Sequence, residues 1–140
     1  MAPPVDDAGF AQLAALRAGL RRYLAWAEQR AREHGMTPAQ VQLALAIRAH
    51  DDPAGPTLTE LAETLLLRHH SVVGLVDRLE LEKLVSRRVS DEDRRQVLIE
   101  LTAGGESMLA KLAAMHRKQL QRIAPELSRL LDHLNSSDGA

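Results

Sequence analysis

Apolar residues along this chain recur mostly at steps of three and four, the period of a helix with one buried stripe. Phe10, Leu13, Leu16, Leu20, Leu24 and Ala27 make the first such stripe and predict a helix from about Asp7 to Glu33, punctuated by Gly35. Thr37-Pro38-Ala39-Gln40 reads as a new start: threonine as N-cap, proline at the first helical position, glutamine reaching back from three residues on. The helix it opens carries Val41, Ala44, Leu45 and Ile47 and ends near His50, before a loop by composition from Asp51 to Pro56. Thr57-Leu58-Thr59-Glu60 repeats the capping-box logic and opens a short helix with Leu58, Leu61, Ala62 and Leu65 inward. A turn around Leu67 to His69 leads into a helix from about His70 to Lys83, with Val72, Leu75, Val76 and Leu79 as its inward set.

The period then shortens. Leu84 to Val89 and Gln96 to Leu101 flank a polar turn, which predicts a β-hairpin. Thr102 caps a long final helical region in which Leu109, Leu112, His116, Leu120, Ile123, Leu127, Leu130 and Leu134 form a heptad-like seam. Pro125 has no N–H to donate, so a break is expected there, with a separate last helix starting at it. The fold class is mostly α with a small β-hairpin wing, in which two short helices joined by a brief turn make a helix-turn-helix. At 140 residues the chain is expected to be one domain, 1–140. Within it, N-terminal helices occupy 7–50, a winged helix-turn-helix lobe 56–101, C-terminal helices 102–134 and a disordered tail 135–140.

Composition removes function classes. There is no cysteine, which excludes disulfides, thiolate catalysis and thiol redox sensing. No apolar run approaches the roughly 20 residues that cross a bilayer. The N-terminus has neither a basic region nor an apolar signal core, so a cytoplasmic protein without a membrane partner is expected. One Phe, one Trp and one Tyr argue against a stacking platform for single strands. No nucleophile–base–orienter set, phosphate-binding glycine loop or close carboxylate pair occurs, and Ser71 beside His70 lacks a third member, so the chain is read as no enzyme. His69 and His70 point about 100° apart on a helix and have no completing ligand nearby; neither a metal nor a cofactor is expected.

What remains is geometry. A helix fits the major groove of B-DNA, and a hairpin beside it can drop an arginine into the minor groove. Seven basic residues lie between 68 and 95 (Arg68, Arg78, Lys83, Arg87, Arg88, Arg94, Arg95), although six acids share the stretch and the net charge is −1. His70, Ser71, Val73, Gly74 and Asp77 fall on the helix face opposite the inward set. There His70 and Ser71 can donate to base edges or phosphates and Val73 can touch a thymine methyl; a plain solvated face is the bland alternative. Arg68 and His69 stand at the helix start. Arg78 and Arg87 are read as phosphate clamps, with Asp77 or Glu82 as alternative partners for Arg78. At the wing, Asp93-x-Arg95 lets a carboxylate brace a guanidinium, and Arg94 can equally enter the groove or bind phosphate.

The chain resembles the MarR-type winged-helix regulators of bacteria and archaea. The likeness is carried by Thr57-x-x-Glu60-Leu61-Ala62, Val76-Asp77-Arg78-Leu79-Glu80, Leu84-Val85-x-Arg87, Asp93-Arg94-Arg95 and Leu101-Thr102-x-x-Gly105. The resemblance implies a homodimer built by the N- and C-terminal helices, here 7–24 and 116–134. It implies binding to double-stranded DNA at a palindromic operator, and release when a small molecule binds. It also makes Arg95 the minor-groove probe and Asp93 its support. An effector pocket for a phenolic or aromatic molecule, if present, should lie where the first, second and fifth helices converge. Trp26, Arg30, His34 and Met36 are then its nearest candidates, though ordinary packing accounts for them more simply. Two positions depart from the family pattern. Lys83 stands where a glycine is usual, and a left-handed turn there costs a lysine roughly 1 kcal/mol, so the turn is expected to be built differently. Gly74 replaces a reading side chain; either a backbone approaches it closely or its helix tolerates a cost of about 1 kcal/mol. The rival reading is a winged-helix module that binds protein rather than DNA.

Overall fold

Thr37 and Thr57 both close capping boxes. The Thr37 hydroxyl accepts the Gln40 N–H at 3.2 Å while the Gln40 side chain accepts the Thr37 N–H at 3.0 Å. Thr57 and Glu60 exchange the same pair of bonds, each at 3.2 Å. Each box satisfies two amides that a helix start would otherwise leave open. In the computed structural model, which describes residues 3–136, these caps open the second and third helices of the order α1 (Asp7–Glu33), α2 (Pro38–Arg48), α3 (Leu58–Leu65), α4 (His69–Leu81), β1 (Val85–Val89), β2 (Val97–Leu101) and α5 (Ala103–Ser136). The described residues group into two compact units, one of 3–30 with 114–136 and one of 31–113.

Residues 31–113 hold the core. Leu43, Leu61, Val72, Val76, Leu79, Ile99 and Leu112 are fully buried, so one apolar cluster takes in α2, α3, α4, the sheet and the start of α5. β1 and β2 pair antiparallel from Val85↔Leu101 to Val89↔Val97. The loop before α3 adds a short third edge, with a bridge from Thr57 to Leu98 and the Ile99 N–H donating to the Pro56 carbonyl at 2.9 Å. Gly55, at φ 101°, permits this: a Cβ there would stand 2.7 Å from the Ile99 carbonyl oxygen.

Two expectations are corrected. Lys83 does adopt the left-handed turn, at φ 62°. The end of α4 is a Schellman motif, with Lys83 N–H on the Glu80 carbonyl at 3.0 Å and Leu84 N–H on the Leu79 carbonyl at 2.9 Å. The Thr102 hydroxyl then donates to the Lys83 carbonyl at 2.7 Å. Three hydrogen bonds offset a strain of about 1 kcal/mol. Gly105 completes the arrangement, because a Cβ there would lie 2.0 Å from the Leu84 carbonyl oxygen. The second correction is Pro125, which does not break the chain: α5 runs unbroken through it to Ser136. The proline leaves the Gln121 carbonyl without its helical donor, but both residues are exposed and water can replace that bond. Of the tail expected over 135–140, Asn135 and Ser136 are therefore helical and 137–140 lie outside the described residues.

The other unit, 3–30 with 114–136, contains no fully buried side chain among its described residues. Leu109 and Leu112, the first two steps of the α5 seam, are buried within 31–113; from His116 onward the seam is only half-covered or exposed. Tyr23 and Trp26 each meet His116 edge to face, with centroids 6.4 Å apart for Tyr23–His116 and 5.7 Å for Trp26–His116.

One strap was not foreseen. The His50 Nε2 lies 2.8 Å from Glu60 Oε2, and its Nδ1 lies 3.3 Å from the Asp52 carbonyl. Both ring nitrogens face acceptors, which suits the doubly protonated imidazolium. The hydrogen bond to Glu60 accordingly raises the His50 pKa and lowers that of Glu60. A raised histidine contributes stability below its unfolded value near 6.5 and loses it as pH rises through the folded value. Thermal unfolding should therefore show this contribution at pH 6 and its loss by pH 8.5, and His50→Gln should flatten that fall. The change should stay below about 1 kcal/mol, since Glu60 is half-exposed and solvent screens the pair. An unaltered pH profile in His50→Gln would remove the strap from the account.

Candidate nucleic-acid interface

α4 buries Val72, Val76 and Leu79 and turns its opposite face outward. Arg68, His69, His70, Gly74, Asp77 and Arg78 are exposed on that side, and Ser71 and Val73 are half-buried. Arg68 is the N-cap but offers no side-chain bond to the first turn. That turn presents amide N–H groups and the positive end of the helix dipole, a ready seat for an anion. At Gly74 nothing among the described residues comes within 4 Å of where a Cβ would stand, so α4 carries the glycine's cost without a close approach inside the chain.

The wing tip is built by Ser90 and Asp93. The buried Ser90 hydroxyl accepts the Glu92 and Asp93 N–H groups, each at 3.3 Å, and the Gln96 N–H closes the turn on the Asp93 carbonyl at 2.9 Å. Asp93 Oδ1 accepts both the backbone N–H of Arg95 at 3.0 Å and its Nε at 3.1 Å. These bonds, the side-chain one foremost, hold the Asp93 carboxyl below its usual range, so the brace is intact throughout the neutral range. The expected bracing is present: Arg95 is pinned at its root while its side chain is 91% exposed. Arg94 is exposed and, with Arg68 and Arg78, has no ion pair among the described residues.

The wing base is different. Arg87, expected to clamp phosphate, is engaged by the protein itself: its Nη2 pairs with Asp77 and its Nη1 with Glu80 at 2.9 Å. Its guanidinium pKa is raised, mostly by the hydrogen bond to Asp77. Asp77, expected on the DNA face, is thereby partnered from within. Arg88, which sequence reasoning left out of the interface set, donates from Nη2 to the Ala54 carbonyl at 2.8 Å. Between wing and helices runs an open groove of about 580 Å³, lined by Thr57, Thr59, Glu63, His69, Arg95 and Gln96 among others. The structure thus brings His69 and Arg95 to the same groove.

Of the residues expected around an effector, Trp26 and Arg30 belong to one unit and His34 and Met36 to the other. Met36 is buried in the core of 31–113 and is a packing residue. His34 is half-buried in the same unit. Trp26 lies in the other unit with the Arg30 guanidinium 5.9 Å from its ring centroid. Sequence reasoning missed their neighbour Tyr23, and placed His116 only in the apolar seam. His116 Nε2 is buried without a hydrogen-bond partner among the described residues, and burial lowers the pKa of the ring.

Comparison with known proteins agrees with this geometry. A model of the MarR family matches residues 34–96. The chain is 29% identical over 114 residues to the uncharacterized HTH-type transcriptional regulator YhbI of Bacillus subtilis (strain 168), covering 71% of this chain and 73% of that protein. It is 32% identical over 95 residues to the HTH-type transcriptional repressor NicR of Pseudomonas putida, covering 67% of this chain and 58% of the repressor. Among solved structures, the transcriptional repressor CouR bound to a 23-mer DNA duplex is 27% identical, with a TM-score of 0.69 and 89% of each chain covered. The MepR–DNA complex of S. aureus shares the fold at 22% identity and a TM-score of 0.72, with 89% of this chain and 90% of that one covered.

Proposed function

The chain belongs to the MarR family of winged-helix transcriptional regulators, and from that premise we propose that it binds a pseudo-palindromic operator as a homodimer and acts as a repressor. The observation that carries this reading is the wing tip: a guanidinium 91% exposed yet rooted on Asp93, beside a recognition helix whose first turn is uncapped. Phosphates seat on the amides of that turn and on Arg68, Arg78 and Arg94; His70, Ser71 and Val73 meet base edges; Arg95 enters the minor groove. A two-fold dimer sets two such heads one helical turn apart. A cytoplasmic place and the absence of catalysis go with this reading.

Response to a small phenolic molecule is part of the proposal. Its support is the buried Nε2 of His116, unsatisfied among the described residues and beside Tyr23 and Trp26, since a phenol hydroxyl can donate to a neutral imidazole nitrogen. Selection of bound sites from a random duplex pool, with and without phenolic ligands, tests the whole. A palindromic consensus that is lost on adding one ligand supports it. A pool with no enrichment and no salt-dependent retention favours the rival, a winged-helix module that docks on protein.

A further inference from the structure

Resting on the DNA-binding reading, we infer that Arg87 is a positioning residue: it locks the wing to the recognition helix through Asp77 and Glu80 and touches no phosphate. Asp77 and Glu80 stand three residues apart on α4, on one helix face. Arg87 uses a separate nitrogen for each, Nη2 for Asp77 and Nη1 for Glu80. A planar guanidinium held at two points fixes orientation as well as distance, which a single contact does not. The Arg87 side chain is 29% exposed against 91% for Arg95, so the two wing arginines differ in kind.

The neighbouring arginine secures the other side. Successive strand residues face opposite ways, so Arg88 leaves β1 on the face away from Arg87. It reaches the Ala54 carbonyl at 2.8 Å and lies 3.7 Å from Glu100. The root of the hairpin is therefore tied to α4 on one face and to the loop before α3 on the other, while Arg94 and Arg95 stay exposed at the tip. For Arg87 to turn to a phosphate it would have to leave two carboxylates uncompensated, one of them on the outward face of α4 where DNA would lie. That repulsion opposes the move.

The decisive variant removes the carboxylates and keeps the arginine. Asp77→Ala with Glu80→Ala deletes two negative charges near the duplex and places alanine, the best helix former, in α4. If Arg87 is a phosphate clamp, freeing it must tighten binding and steepen the slope of log K against log salt. If it is a brace, binding to the duplex selected by the wild type weakens, by roughly tenfold, because the tip is no longer preorganised. Arg87→Met should weaken binding similarly with an unchanged salt slope, whereas loss of a phosphate contact lowers the slope by about one per subunit. If Arg87→Met does not fold, Arg87→Lys serves: it keeps the charge but reaches one carboxylate, so binding should fall with the slope intact. Tighter binding by the double alanine variant, or wild-type affinity in Arg87→Lys, overturns the brace. A wild-type chain that selects no duplex overturns the DNA reading and this inference with it.

Discussion

Arg95→Ala should weaken binding to the selected duplex by on the order of 10²-fold and lower the salt slope by about one per subunit, two per dimer. The size follows from geometry rather than charge count. Among the described residues Arg95 is the tip guanidinium that is both exposed and oriented, through Nε and its own backbone N–H on Asp93. A flexible arginine would lose side-chain freedom on entering a groove, a cost of up to about 2 kcal/mol, and Asp93 has already imposed part of that order. Asp93→Ala should therefore weaken binding too, by less, and without lowering the slope, since it removes no cation. Arg94→Ala should lower the slope but cost less affinity, as expected for an untethered phosphate contact. Filter binding or fluorescence anisotropy at four or five salt concentrations separates the three. Wild-type affinity and slope in Arg95→Ala would end the assignment of the wing.

What could be read from the chain beforehand divides by distance along it. The threonine caps of α2 and α3 and the Asp93–Arg95 brace join residues two or three apart, and local chemistry was enough to place them. The helices and hairpin followed from period alone. What was missed or left open involves a partner the local pattern does not contain. Lys83 takes a left-handed turn because Thr102, nineteen residues on, accepts the role of securing its carbonyl. Arg87 is bonded to Asp77 and Glu80, ten and seven residues back. His50 and Glu60 are joined across the loop that separates their helices. At Pro125 the missing information was solvent: the orphaned carbonyl is exposed, so the loss of one hydrogen bond does not end the helix.

A second large effect concerns association. Leu24→Glu should convert a dimer into a monomer at micromolar concentration in sedimentation, and should abolish tight duplex binding. Leu24 is 52% exposed in the unit of 3–30 with 114–136, alongside Phe10, Leu13, Leu20, Leu120 and Leu131, all also exposed. That unit has no fully buried side chain of its own among the described residues, and isolated helices owe most of their stability to the burial of one face. Under the proposed dimer, a second copy would supply the missing cover. Because a two-fold interface presents each residue twice, one substitution removes two leucines from burial and brings in two carboxylates. At about 1.5–3 kcal/mol for each buried leucine, the loss exceeds a hundredfold in the dimer constant before any charge repulsion is added. Duplex affinity then falls because two linked heads bind far more tightly than one, by roughly 10²–10⁴-fold. Leu81→Glu is the control: Leu81 is more exposed still, at 84%, but lies at the end of α4, so its replacement should leave the sedimenting mass unchanged. A wild-type monomer, or a Leu24→Glu dimer, would show that the exposed leucines have some other use and that two heads are not held one helical turn apart.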